Sequence, residues 1–336
     1  MSDGPAELPA AGSAAAFACE GAPRDLGRRQ GSLCAAELQR AFRAAPLAQR
    51  LAVRLPQRRS AARLARDLWR HFPHQAERLQ ALARAAGVPE AWLWRGLAEE
   101  LRGSAAPDAL ALVAVGALPQ IVGWFSTPLR LRESRPDGRH ASLEWCAAGA
   151  SAARIGVNER GLAAAALALV GAGQLDPGHP RAESAPGAPR CAAPATLLVQ
   201  DCLENFDRLE PAVDWCLARP AAGMARILLA DAQGRAAAVD LALGERSLRG
   251  FEGEALLAAR RAEDGEEIGK LLVARAAATA SDAAACERWL ARLLAGGSAR
   301  HAGVVDPAGR RAGWLEPSGR LGWRSLAPAP EAGEIH

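Results

Sequence analysis

The residue types that could carry chemistry in this 336-residue chain are few, and their spacing restricts what they could do. Seven cysteines occur without a Cys-x-x-Cys pair, a pattern that argues against a zinc site or a disulfide framework. His71 and His74 could share a metal ion, but no third ligand is evident, so a surface role at a helix start is favoured. Neither a Gly-x-Ser-x-Gly turn nor a phosphate-binding glycine loop is present. We therefore expect no metal and no cofactor.

Asn158 is one of only two asparagines and lies between Gly156 and Gly161. Apolar, strand-like residues flank this stretch, from Leu143 to Ala148 before it and from Leu162 to Val170 after it. Glycines around a short polar turn favour the tip of a β-hairpin, where asparagine tolerates a left-handed backbone. The alternative is that the Asn158 amide belongs to a functional site, and the pattern leaves both interpretations open.

Composition and charge limit the class of protein. Half of the residues are hydrophobic, yet no apolar run reaches the roughly 18 residues of a membrane-spanning helix. Residues 1–16 and 328–336 are interpreted as a disordered leader and a loose tail. With the cysteines interpreted as small core residues in a reducing compartment, a cytoplasmic location is expected.

The basic residues are almost all arginine, and the net charge is +4 from 41 basic and 37 acidic residues. Because acids are interspersed with them, neither a nucleic-acid partner nor a membrane partner is expected. The most basic stretch, Arg50 to Arg70, follows an amphipathic helical pattern. A solvated helix face is favoured there over a nucleic-acid or lipid patch.

Hydrophobic periodicity divides the chain into a helical first part and a strand-rich second part. Residues 17–103 begin with a strand and continue as helices, one of which ends at Gly87 while the next begins at Pro89. From Leu110 onward strands alternate with turns, interrupted by a long loop at 173–191 and a helix pair at 195–220. Strands, then helices, then strands predict an α+β fold with helical layers on antiparallel sheets.

Four stretches resemble, in order, motifs of the isopenicillin N acyltransferase family. They are GAPRDLGRRQG, IGVNERGLAAAALAL, LLVQDCLENFDRLEPAVDWC and ILLADAQGRAAAVDL. That family belongs to the N-terminal-nucleophile hydrolases and is related to the penicillin V and bile-salt amidases. The resemblance covers about residues 17–327. It implies a four-layer αββα sandwich over 104–327, preceded by a helical pro-segment at 17–103.

The resemblance also implies a chemistry against which the residues can be compared. In active members the precursor cuts itself before a cysteine, whose freed α-amino group then acts as the base. This chain has no cysteine between Cys34 and Cys146. Alignment on the first strand puts Asp108 or Ala109 at the nucleophile position, whereas alignment on the preceding glycine puts Ser104 there.

This chain differs from other elements of the family pattern as well. In GWFST, Phe125 and Thr127 replace the polar pair that lies beside the nucleophile. Arg260 stands in the region where the family has an asparagine that donates to the oxyanion. Asn158 matches an oxyanion-hole position, although its hairpin would persist after loss of catalysis.

Two hypotheses follow from these departures. The favoured one is a non-catalytic or strongly diverged member whose scaffold binds a small acyl-amide-like ligand or a protein partner, with an apolar pocket around Trp124 and Phe125. The alternative is a self-processing amide hydrolase or acyltransferase that acts on linear acyl amides, with Ser104 as nucleophile. Cleavage after Gly103 would then give fragments of about 103 and 233 residues.

Overall fold

The structure of the protein is a computed structural model. It describes residues 16–52, 59–101, 108–115, 118–168, 194–219, 225–242, 245–250, 256–259, 283–295, 301–316, 318 and 320–327. The leader, the tail and the long loop at 173–191 fall outside the described residues.

In its described residues the first part of the chain is one strand followed by five helices, which agrees with the predicted strand and helical region. The elements are β1 (Phe17–Gly21), α1 (Pro23–Ala44), α2 (Leu47–Ala52), α3 (Arg59–His71), α4 (Pro73–Ala86) and α5 (Glu90–Leu101). Proline opens α1 and α4 at the first helical turn, where its missing N–H is not needed. Gly87 ends α4 with a left-handed backbone (φ 67°), a conformation that glycine adopts without strain.

The described residues of the second part form strands and three further helices. The strands are β2 (Ala109–Val115), β3 (Leu118–Phe125), β4 (Arg130–Pro136), β5 (Ser142–Cys146), β6 (Ile155–Asn158), β7 (Leu162–Ala168), β8 (Ala225–Asp231), β9 (Ala236–Ala242), β10 (Glu245–Gly250), β11 (Leu256–Ala259), β12 (His301–Asp306), β13 (Arg311–Leu315) and β14 (Leu321–Ser325). The helices are α6 (Ala195–Asn205), α7 (Leu209–Ala218) and α8 (Ala283–Ala295). The sequence pattern did not reveal β3, β10 or β11.

The strands assemble into two sheets. One has eight strands in the order β1-β4-β5-β6-β7-β8-β9-β10, and the other has six in the order β11-β2-β3-β12-β13-β14. All described pairings are antiparallel except that of β1 with β4. The Asn158 hairpin is therefore formed by β6 and β7, with β5 pairing on the other side of β6.

Three clusters of buried residues separate four layers. One lies between the helices and the eight-stranded sheet, a second lies between the two sheets, and a third lies between the six-stranded sheet and α8. Successive residues of a strand face opposite layers, so that Ala164 packs toward the helices and Ala163 toward the other sheet. The predicted α+β class and its αββα layering are confirmed by this arrangement.

The N-terminal region is built into the sandwich. Strand β1 forms one edge of the eight-stranded sheet, where Cys19 lies opposite Ser134 of β4. Helix α1 packs against α4 so closely that a Cβ atom on Gly27 would lie 2.1 Å from the carbonyl oxygen of Arg78. A Cβ atom on Gly31 would lie 2.4 Å from the carbonyl oxygen of Leu82. The glycines of the GAPRDLGRRQG motif thus permit a close contact between two helices.

Candidate functional site

The most charged part of the interior lies between the helices and the eight-stranded sheet. Arg132 on β4 and Glu144 on β5 are directly opposite one another, and both side chains are fully buried. The Arg132 guanidinium donates to the Glu144 carboxylate at 2.7 Å. Burial alone would raise the pKa of Glu144, but Arg132, Arg78 and hydrogen bonds from Ser142 and Gln200 lower this pKa below its ordinary value.

This ion pair is joined to the helices by amide side chains. Gln30 of α1 accepts from Arg132 at 2.6 Å and donates to the carbonyl oxygens of Ala148 and Ala150. Gln200 of α6 donates to Glu144 at 2.7 Å and accepts from the Ala153 N–H. The network therefore connects two helices to the sheet across a layer that water does not reach.

Helix α4 contributes a second set of polar side chains to the same layer. His74 lies 2.9 Å from a carboxylate oxygen of Asp201 on α6, and Arg78 lies 3.6 Å from Glu204. His74 was expected at the surface, but its side chain is only 18% exposed because α6 covers it. Burial, followed by the charge of Arg132, lowers the pKa of Arg78. These contacts attach the N-terminal helices to the rest of the protein.

The side chain of Asn158 is fully occupied by backbone groups. Its amide nitrogen donates to the carbonyl oxygens of Leu203 and Phe206, and its oxygen accepts from the N–H groups of Arg160 and Leu162. Asn158 is also completely buried. The asparagine thus closes the β6–β7 turn and fastens it to the end of α6, which accounts for an asparagine at this position without a substrate.

Replacing Asn158 with alanine is expected to lower the free energy of unfolding by about 3 kcal/mol, because four backbone groups lose their partner, two of them in fully buried hydrogen bonds. The matched control is Asn205→Ala, which removes the chain's other asparagine from an exposed position where it donates only to the Asp201 carbonyl oxygen. That change should cost less than about 1 kcal/mol. Urea unfolding followed by circular dichroism measures both, and equal losses would contradict the structural role.

A cavity of about 390 Å³ lies where α1, α2 and α5 meet the open ends of β2 and β3. Its apolar side includes Trp92, Leu93 and Leu97 of α5. Its charged lining residues are Arg95, Arg154 and Asp108. The remaining lining residues are Leu38, Gln49, Gly96, Thr127, Ala147, Gly149 and Ala150. The cavity thus combines an aromatic and aliphatic wall with two positive groups and one negative group.

Asp108 has a defined role in the geometry of this cavity. It immediately precedes β2, and one carboxylate oxygen accepts hydrogen bonds from the Ser126 N–H at 2.8 Å and the Ser126 hydroxyl at 2.7 Å. These hydrogen bonds join the residue before β2 to the residue after β3 at the open end of the β2–β3 hairpin. The position that strand alignment assigns to the nucleophile is therefore occupied by a buried carboxylate at the edge of a cavity.

The structure does not bring Trp124 and Phe125 into one pocket. As neighbours on β3 they face opposite sides of the six-stranded sheet. Trp124 packs toward α8, whereas Phe125 packs between the sheets. Thr127, which follows β3, lines the cavity. Ser104 and Arg260 lie outside the described residues.

The buried cysteine near the hairpin does not resemble a reactive thiol. Cys146 is completely buried, and burial raises its pKa to about 11. Burial likewise raises the pKa of Cys34 to about 12. Because the thiolate is the nucleophile, neither cysteine supplies one at neutral pH. The interpretation of Cys146 as a core residue agrees with this environment.

Comparison with known proteins yields structural likeness but no sequence match. No family model and no curated protein matches the sequence. Penicillin V acylase from Agrobacterium tumefaciens is similar with a TM-score of 0.44 and 13% identity, over 65% of this chain and 86% of that one. A mutant of conjugated bile acid hydrolase from Clostridium perfringens is similar with a TM-score of 0.42 and 11% identity, over 66% of this chain and 92% of that one.

A Caenorhabditis elegans orthologue of N-acylethanolamine-hydrolyzing acid amidase gives a TM-score of 0.42 and 10% identity, over 60% of this chain and 93% of that one. None of these three is an isopenicillin N acyltransferase, so that assignment rests on the sequence motifs alone. At these identities and scores the likenesses describe shape, and conclusions about function have to come from the residues.

Proposed function

We propose that this protein is a non-catalytic, strongly diverged relative of the N-terminal-nucleophile hydrolases that binds a small acyl-amide-like ligand. The observation that carries this proposal is the cavity beside Asp108. Its volume, about 390 Å³, is within the range of small-molecule sites, and its wall is aromatic and aliphatic. Among its described lining residues there is no cysteine or serine. A carboxylate bonded to Ser126 is poorly suited to the attack that an N-terminal thiol performs.

The charges of the lining indicate the kind of ligand. Arg95 and Arg154 outnumber Asp108, which favours a ligand whose polar end is anionic. Trp92, Leu93 and Leu97 offer an apolar surface for an acyl chain. An N-acyl amino acid combines these two features in one molecule.

We expect N-octanoylglycine to bind and to raise the melting temperature, whereas its uncharged methyl ester binds at least tenfold more weakly, which corresponds to about 1.4 kcal/mol. Arg154→Ala should weaken binding of the acid by a similar factor because it removes one positive group from the lining. Arg226→Ala, which alters an arginine paired with Asp240 on β8 and β9, is the matched control. Isothermal titration calorimetry measures each affinity, and equal binding of acid and ester would contradict the proposed polar end.

The alternative, self-cleavage at Gly103–Ser104, is tested by mass spectrometry of the purified chain. If the protein is non-catalytic, a single mass near 35.1 kDa is expected, and Ser104→Ala should likewise give one uncleaved chain. The measurement has to be made under denaturing conditions, because residues 17–101 are held to the core by β1 and by buried polar contacts. Two fragments, together with release of octanoate that Ser104→Ala abolishes, would overturn the proposal.

A further inference from the structure

Positive charge is concentrated in residues 40–52 and 59–71, which we call the basic segment. It contains seven arginines and one aspartate, a net charge of +6 with histidine counted as neutral. The whole chain carries only +4, so the remainder of the protein is net negative. Such a concentration of positive charge attracts an anionic surface.

The basic segment also carries exposed apolar side chains. Leu47 and Leu51 lie four residues apart on one face of α2 and are 65% and 50% exposed. Trp69 on α3 is 41% exposed. Only two other large hydrophobic residues are exposed in the described part of the chain, Leu118 and Leu248. Apolar exposure and positive charge therefore coincide on the same helices.

The fold directs these groups outward. Leu64 and Leu68 form the inward face of α3 and are completely buried against the protein. Arg66 and Arg70, on the same helix, are exposed. Helix α3 is thus packed through its apolar face, which leaves Arg66, Arg70 and Trp69 toward solvent.

We propose that the basic segment docks the protein on the surface of an anionic lipid bilayer. Leucine and tryptophan enter the boundary between headgroups and acyl chains, while arginine contacts the lipid phosphates. A nucleic acid or an acidic protein would satisfy the arginines, but nothing in a phosphate backbone or an acidic surface would cover Leu47 and Leu51.

Docking on the surface of a bilayer is distinct from spanning the bilayer. Among the described residues no helix has both the length and the apolarity required to cross a bilayer. The amphipathic pattern of Arg50 to Arg70 favoured a solvated helix face over a lipid patch, but that pattern does not report which leucines remain exposed beside the arginines. Helix α2 also supplies Gln49 to the cavity lining, so the proposed docking surface and the cavity share one helix. The inference does not depend on the proposed ligand.

The test is co-sedimentation of the full chain with vesicles of phosphatidylcholine alone or mixed equally with phosphatidylglycerol. Binding to the mixed vesicles is expected, with little to phosphatidylcholine and a decrease at high salt. Leu47→Ser/Leu51→Ser should weaken it by at least about tenfold. Arg66→Gln/Arg70→Gln should weaken it by roughly fivefold for each arginine.

Matched controls separate this surface from general stickiness. Leu248→Ser alters a leucine of similar exposure (52%) on β10, and Arg208→Gln alters an exposed arginine next to Asp207. Neither should change vesicle binding. The melting temperature of every variant is measured first, and all should melt as the parent does because the altered side chains are exposed. Absence of vesicle binding, or binding that survives the double leucine change, would overturn the proposal. Arginine-dependent binding to heparin without leucine dependence would assign the surface to a polyanion instead.

Discussion

Arg132→Met is expected to lower the free energy of unfolding by about 4 kcal/mol, since it leaves the Glu144 carboxylate buried without its cation. Both side chains are fully buried, and water cannot replace the lost guanidinium. Urea unfolding at neutral pH provides the measurement. The matched control is Arg226→Met on β8, which breaks a cross-strand pair with Asp240 whose side chains are 16% and 15% exposed. That change should cost about 1 kcal/mol.

The pH dependence of this loss has a definite sign. In the parent protein the pKa of Glu144 is lowered, so its contribution to stability is present above the ordinary pKa and is lost as the pH falls through the folded-state value. Without Arg132, burial dominates and the carboxyl is expected to take up a proton more readily. The difference between parent and variant should therefore be smaller at about pH 4 than at about pH 7.

The double change Arg132→Met/Glu144→Leu distinguishes a lost charge partner from a lost shape. Removing both charges should recover much of the stability, because no uncompensated ion remains in the interior. The double variant is thus expected to be more stable than Arg132→Met alone. A loss below about 1.5 kcal/mol for the single change, or a double variant that is less stable still, would contradict the assigned role of the pair.

Gly31→Ala and Gly27→Ala are each expected to lower the free energy of unfolding by about 3 kcal/mol, because α1 and α4 have no space for a methyl group between them. The added carbon would lie 2.4 Å from the Leu82 carbonyl oxygen or 2.1 Å from that of Arg78. These atoms belong to the α4 backbone, so the helices would have to move apart. Thermal and urea unfolding measure the effect.

Gly96→Ala provides the matched control for both glycines. Gly96 lies within α5, and a Cβ atom there would meet nothing within 4 Å. Alanine is the better helix former, so this change should stabilise the protein by up to about 1 kcal/mol. If all three glycine variants behaved alike, the close α1–α4 contact would not be the reason for glycine in α1.

Local sequence patterns predicted many elements correctly, and the reasons are local. Gly87 after α4 and Pro89 before α5 mark the boundary between these helices because the backbone requirements of helix termini involve only neighbouring residues. The hairpin at Asn158 was recognisable for the same reason. Strand β3 was not recognised, since its run of buried residues lacks the alternation of a half-exposed strand.

The site depended on contacts that local patterns do not contain. Apolar and polar residues alternate in LRLRES, residues 129–134, which predicts a strand with one polar face, and such a face is usually exposed to solvent. Arg132 is instead completely buried, because Gln30 of α1 and Gln200 of α6 lie over it. Trp124 and Phe125 were expected to share a pocket. Because consecutive side chains of a strand point to opposite faces of the sheet, the two residues lie in different layers.

The sequence by itself determined the positions of most helices and strands, the α+β class and the hairpin that Asn158 closes, since backbone preferences and apolar periodicity act over a few residues. The tertiary structure alone decided that Arg132 and Glu144 form a buried pair, that Asp108 and Arg154 line one cavity, and that Leu47 and Trp69 remain exposed among arginines. These outcomes depend on which distant elements cover a given face, and packing of that kind leaves no periodic signature along the chain.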